Sequence, residues 1–500
     1  MASQFQEANL LLRTGKLEEA VAAYRAATAE NTSFYAAYQN LGETLWKLGR
    51  LDEAIAAFRQ AVALNPRAVW CVYKLGELLR LRGEFEEAVG YLRRAVELKS
   101  DVAEFHLGLG AALVKLGQLS EGEGCLRQVM QFPTASIPTS SLAEAYYFLG
   151  VAKSQQQQWS EAVDWYRRGL ELNPAAVDCC LALAKALGQL GRWSEAVERY
   201  SQMELASGES GEVCFGLGQA LGQLGRWEEA VVEYRRAVAL GLAGAEVRHY
   251  LGYALGQLGR YEEAVVELRQ VVEVNPKSAQ VRHQLGYGLM RLGQWQEAVI
   301  ELRKCVELYP GSAVVYRQLG NALQERGIKS DAEREEVYAV YRKAVELDPS
   351  DVESCEKLKE MKPNDYEIYL LLGNALTKHG RWKEAIESYT MAAKLNQNNF
   401  WIHHLLGDAL ATLENWDESV SAYHRSSELN PSFPWCIHNL GDVMKKQGKW
   451  EEAITAYRQA IEVDPANPVF YNKLGDVLAI QGQIDEASAC YRRVLELESA

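Results

Sequence analysis

A leucine–glycine pair returns along this sequence at a fixed interval, and that interval constrains the fold more than any other feature. The glycines stand at Gly42, Gly76, Gly110 and Gly150; after Ala184 in the same slot they continue at Gly218, Gly252, Gly286 and Gly320, then at Gly373, Gly407, Gly441 and Gly475. Almost every step is 34 residues. Glycine inside a helix costs about 1 kcal/mol relative to alanine. Its return to one slot therefore implies a compensating contact, a place where two helices approach closely.

Further ladders keep the same period. Small residues follow twelve positions later, at Ala20, Ala54, Ala88, Ala162, Ala196, Ala230, Ala264, Ala298, Ala332, Ala385, Ala453 and Ala487, with Gly122 and Ser419 as the two departures. Four residues beyond each comes a large side chain, as in Tyr24, Phe58, Tyr166, Tyr389 and Tyr457. Small and large residues at i and i+4 share one helix face. Units often end at proline, as at Pro66, Pro174, Pro276, Pro310, Pro349, Pro431 and Pro465, which pushes the preceding residue out of helical conformation. A glycine step such as Gly225-Arg226-Trp227 or Gly448-Lys449-Trp450 supplies an inner turn. The period and its punctuation predict two helices per unit, stacked as an all-α solenoid.

Taken together, these ladders resemble the tetratricopeptide repeat family, over fourteen units from about Met1 to the last residues. The resemblance implies an α-solenoid wound as a right-handed superhelix, whose first helices line a concave groove that grips peptides or partner domains. It extends to the repeat arms of scaffold proteins and of O-linked N-acetylglucosamine transferase-like proteins. The asparagine ladder of the latter would precede the Leu-Gly pairs, where this sequence has Asn40 and Asn439 but otherwise residues such as Lys74, Gly108, Ala182, Gly216, Tyr250 and Gln284. That backbone-gripping mode is not expected, and no complete carboxylate clamp of the chaperone-binding relatives is present.

Two breaks interrupt the period. Between Gly110 and Gly150 six extra residues fall around Ser136-Ile137-Pro138-Thr139-Ser140-Ser141, read as a loop. Between Gly320 and Gly373 there are nineteen extra residues. About five are assigned to an extended second helix over 332–344 and about fourteen to 352–365, where a short amphipathic helix is expected before Pro363. The predicted organisation is units 1–4 in residues 1–135, the loop 136–141, units 5–10 in 142–351, the linker 352–365 and units 11–14 in 366–500.

The candidate partner-binding residues lie two before and two after the repeated leucine. In the middle of the chain these are His249 with Tyr253, His283 with Tyr287, and Arg317 with Asn321, beside Arg248 and Arg282. In the last block they are His404 with Asp408, His438 with Asp442, and Asn472 with Asp476, with Trp401 and Trp435 one turn earlier. Each pair is spaced i, i+4, so both members share a face and equivalent residues stack from unit to unit. The His, Arg and Tyr stripe suits an acidic or carboxylate-bearing peptide; the Trp, His and Asp stripe suits basic or amide donors beside aromatic anchors. Retention of the same residues after duplication explains both stripes equally well. Trp159, Trp193, Trp227, Trp295, Trp382, Trp416 and Trp450 share a slot beside the inner turn and are read as packing.

The net charge of -14 argues against nucleic acid or an anionic membrane as partner. No stretch approaches the ~20 apolar residues of a membrane span, so a cytoplasmic protein is expected. Nine cysteines without Cys-x-x-Cys spacing read as reduced thiols, with no metal or cofactor. Phosphate-loop, Gly-x-Ser-x-Gly and His-Glu-x-x-His motifs are absent. The expected function is a non-catalytic protein-interaction scaffold; the alternative is the recognition arm of a larger transferase. The last helix, ending near Leu497, is expected to leave an apolar face open to further chain or to self-association.

Overall fold

The computed structural model describes residues 2–133, 137–207 and 210–499, and among these it has twenty-nine helices and no strand. They fall in two compact units, Met1–Leu258 and Gly259–Ala500. The first unit holds seven helix pairs, from Ala2–Arg13 with Leu17–Glu30 to Gly211–Gln223 with Trp227–Ala239, and then the helix Ala245–Gln257. The second opens with Tyr261–Val274 and holds six pairs, from Ala279–Arg291 with Trp295–Leu308 to Pro468–Ile480 with Ile484–Glu498, plus one helix outside the pairing, Val352–Met361. The eighth repeat is thus divided between the units, and neither irregularity in the period coincides with their boundary.

Within a pair, the glycine ladder is where the large residue of the second helix lies against the first. A β-carbon built at Gly42 would stand 2.8 Å from the Phe58 ring, at Gly150 2.4 Å from Tyr166 and at Gly373 2.4 Å from Tyr389. Those rings are fully buried, each burial contributing about 1.5–3 kcal/mol. The inner turn follows from Gly225 and Gly448, whose φ angles of 74° and 76° lie in the left-handed region that only glycine adopts without strain. Between units, the residue before proline closes the turn with its own side chain: Asn65 accepts the Arg67 amide at 3.2 Å and Asp464 the Ala466 amide at 3.2 Å.

Both irregularities are partly helical. Ser136 lies outside the described residues, but Thr139, Ser140 and Ser141 belong to the helix Thr139–Gln155 and are not loop, because Pro138 is its N-terminal boundary residue and fixes a φ compatible with helix entry. The short helix expected before Pro363 is Val352–Met361. Asp351 starts it, accepting the Ser354 amide at 3.3 Å and the Ser354 hydroxyl at 2.7 Å.

The five-residue extension corrects one rung of the small-residue ladder. Gly320 faces Tyr341, and Asn321 accepts the Tyr341 hydroxyl 20 residues on, where the equivalent spacing elsewhere is 15. The extra residues therefore precede Val337, which is buried in the ladder slot, whereas Ala332 is exposed.

Candidate functional site

In the first helices that carry the candidate residues, counted from the first residue of each, the repeated leucine is the seventh. The candidate residues then occupy positions two, five and nine, three places on one helical face. In the last block position nine has a structural duty. Asp408 accepts the Tyr423 hydroxyl at 2.5 Å and the Asn439 amide at 2.9 Å; Asp442 accepts the Tyr457 hydroxyl at 2.6 Å and lies 3.3 Å from the Lys473 ammonium; Asp476 accepts the Tyr491 hydroxyl at 3.1 Å. Each carboxylate thus fastens its own second helix, and the first two also reach the next first helix. Burial, then these carboxylates, raise the Tyr423 and Tyr457 phenols far above their ordinary range. Amides serve the same way at Asn9 with Tyr24 and Asn374 with Tyr389.

Position five is buried in the first two of these helices, where His404 is 6% and His438 4% exposed, but its third occupant, Asn472, is exposed. His404 Nε2 lies 3.5 Å from Asp408 and His438 Nε2 4.0 Å from Asp442. His404 Nδ1 and His438 Nε2 have no hydrogen-bond partner. Burial pushes the His404 imidazole below its usual range, with Asp408 pulling part of the way back. Position two is open. Trp401 and Trp435 are each 40% exposed, and Trp435 packs edge-on against Phe470 at 5.2 Å between ring centres.

The middle stripe is arranged differently. Arg248, His249 and Tyr253 belong to the first compact unit, the remaining candidates to the second. Tyr253 stands edge-on to Trp227 at 5.7 Å and Tyr287 to Tyr261 at 6.2 Å, both tyrosines exposed. Arg248 and His249 are half-buried. Arg282 is only 6% exposed, ion-paired with Glu301 and donating from Nε to the Pro276 carbonyl at 2.8 Å. His283 meets Gln318 at 2.7 Å. Arg317 lies 2.9 Å from the buried Asp351 and 3.3 Å from Glu353, and Asn321 donates to Glu353 at 2.8 Å. Arg282 and Arg317 therefore hold their own chain together, Arg317 by tying down the helix Val352–Met361.

Sequence reasoning missed two exposed tryptophans, Trp46 at 41% and Trp70 at 51%. Trp70 is at position two, like Trp401 and Trp435, so the register alone would have found it. It also missed an open cavity of about 680 Å³ against Val177–Gln189 and Gly211–Gln223, lined by Lys185, Gln219, Phe215 and Glu246 among others. Among the described residues no cluster of His, Cys, Asp or Glu is placed to hold a metal ion, and no helix is long and apolar enough to cross a membrane. The nine cysteines are free; burial raises Cys71 to about 11 and Cys179 and Cys355 to about 12.

Family models described as tetratricopeptide repeat match residues 5–69, 45–95, 143–176, 181–245, 280–312 and 469–500, and a model described as TPR repeat matches 76–117, 252–293, 373–414 and 441–479. The chain belongs to the tetratricopeptide repeat family. No curated protein matches it. Among solved structures of tetratricopeptide and similar helical proteins, it is similar to YrrB, described as a TPR protein with an unusual peptide-binding site, at 20% identity over 39% of this chain and 97% of that one, TM-score 0.36. MamA MSR-1 C2 is 30% identical over 37% of this chain and 96% of that one, TM-score 0.31. One chain of the Cut9–Hcn1 hetero-tetramer of the APC/C aligns over 92% of this chain and 93% of its own length at 13% identity, TM-score 0.35.

Proposed function

We propose that this tetratricopeptide repeat protein is a non-catalytic scaffold that holds a partner protein by an extended segment laid across the helices Phe400–Thr412, Pro434–Lys446 and Pro468–Ile480. The observation that carries this reading is the exposure of Trp401 and Trp435 at one helical position in successive repeats. Neighbouring helices lie about 8–10 Å apart and an extended chain advances about 3.3 Å per residue, so every third partner residue meets a new repeat. The tryptophans are anchors of the kind that dominate interfaces. Asp408, Asp442 and Asp476 stand two turns further along this face; each is bonded to its own tyrosine, and their remaining negative charge favours a basic segment.

The middle stripe supports an acidic partner less well, since Arg282 and Arg317 are engaged within the chain. Tyr253 and Tyr287 remain available as aromatic contacts. The test is affinity capture of partners by the full chain and by the Trp401→Ala/Trp435→Ala variant. Loss of at least about tenfold in captured partner, the effect of removing one hot-spot residue, is expected with an unchanged helical spectrum. Equal capture by the two proteins would overturn the assignment.

A further inference from the structure

The aromatic arrangement around Trp435 occurs a second time, in the other compact unit. Trp435, His438 and Phe470 have ring-centre separations of 5.5 Å (Trp–His), 5.2 Å (Trp–Phe) and 5.2 Å (His–Phe), with interplanar angles of 76°, 72° and 38°. Trp70, Tyr73 and Phe105 show 6.0, 5.1 and 4.6 Å in the same order, with 81°, 75° and 33°. Both sets use positions two and five of one first helix and position three of the next. In each, the tryptophan is exposed while the phenylalanine behind it is fully buried. Trp401, with His404 and Phe433, does not reproduce this geometry: its ring is tilted only 32° from the histidine.

The surroundings of Trp70 carry an excess of negative charge. Glu77 is at position nine of the same helix, Glu104 at position two of the next and Glu144 at the following first helix. Their fields, after burial, raise the Tyr73 phenol, with Arg80 opposing. Arg80 lies 2.7 Å from Glu77 and 3.7 Å from Glu144. The other nearby cation, Lys74, has its ammonium 4.4 Å above the Trp46 ring and 5.7 Å from Tyr73. A cation is therefore already seated on the aromatic surface by the chain itself, in the geometry of a cation–π contact.

We propose that Trp70, Tyr73 and Phe105 form a second docking platform, for an extended arginine- or lysine-bearing segment of a partner protein, so that one chain holds two such segments. The proposal rests on the reading of the Trp435 face as a docking face. Arginine suits both elements, since its guanidinium stacks on an indole and pairs with carboxylates. The test titrates the full chain by calorimetry with a twelve-residue peptide of repeated Arg-Ser-Leu, and with its Glu-Ser-Leu counterpart. Two Arg-Ser-Leu peptides per chain are expected, one after Trp70→Ala or Trp435→Ala, and none after both, with unchanged helical content throughout. One peptide bound by the unaltered chain and by Trp70→Ala, with none bound by Trp435→Ala, overturns the second platform and leaves the Trp435 face standing. The converse supports the Trp70 platform and overturns the reading of Trp435. No binding to the unaltered chain overturns both, and equal binding of the Glu-Ser-Leu peptide overturns the basic partner.

Discussion

Gly150 shows how one residue sets the packing of a repeat: an added methyl would stand 2.4 Å from the Tyr166 ring, whose hydroxyl is also held 3.0 Å from Ser154. The ring cannot retreat, so Gly150→Ala should cost about 1–3 kcal/mol, the usual penalty of overpacking, measured as a lowered urea midpoint. His404 sets a pH dependence. Its imidazole is depressed by burial in the folded chain, as is that of His403, so the unfolded chain binds protons more readily. The stability this contributes is present above the ordinary histidine pKa of about 6.5 and is lost as the pH falls. The melting temperature should therefore drop on acidification below about 6.5, and less steeply in His404→Phe; equal slopes in the two proteins would refute that origin. The glycine contacts were legible in the sequence because they recur. The burial of Arg282 was not, because its partner Glu301 lies 19 residues away on another helix and nothing local distinguishes a buried guanidinium from an exposed one. The carboxylates at position nine looked like free ligand groups for the same reason: their tyrosine partners are supplied by the second helix.

Among the helices, spacing between partners records where residues were added. Arg59 pairs with Glu87 and Arg269 with Glu297, 28 residues apart, but Arg303 pairs with Glu336 across 33. Exposed pairs of this kind contribute at most about 1 kcal/mol each, yet they mark the five-residue shift as clearly as Tyr341 does. A count of residues between Leu-Gly pairs reveals the shift but not its side of Ala332, since alanine suits the slot as well as valine. The helix Val352–Met361 depends on Asp351, which both caps it and meets Arg317. Asp351→Ala removes both interactions and should cost about 1–3 kcal/mol, read as faster amide exchange over 352–361. Unchanged exchange there would show that packing of Cys355 and Leu358 suffices.

Across the whole chain, stability in a repeat array is a sum of unit and nearest-neighbour contributions. Faster exchange in Gly150→Ala should therefore be confined to its own pair, Thr139–Gln155 and Trp159–Leu172, and the helices beside it, leaving the final repeats unaffected; a uniform loss of protection would show a single cooperative unit instead. The net charge of -14 also bears on binding. Association with a basic segment should weaken as ionic strength rises, because exposed charge pairs are screened over about 8–10 Å near physiological salt. Of the twelve tryptophans, eight are half-buried and four are open, and those four are Trp46, Trp70, Trp401 and Trp435. Excitation at the red edge of the indole band, with iodide as quencher, would select this water-facing minority, so the protein carries its own optical reporter at the faces where a partner would lie.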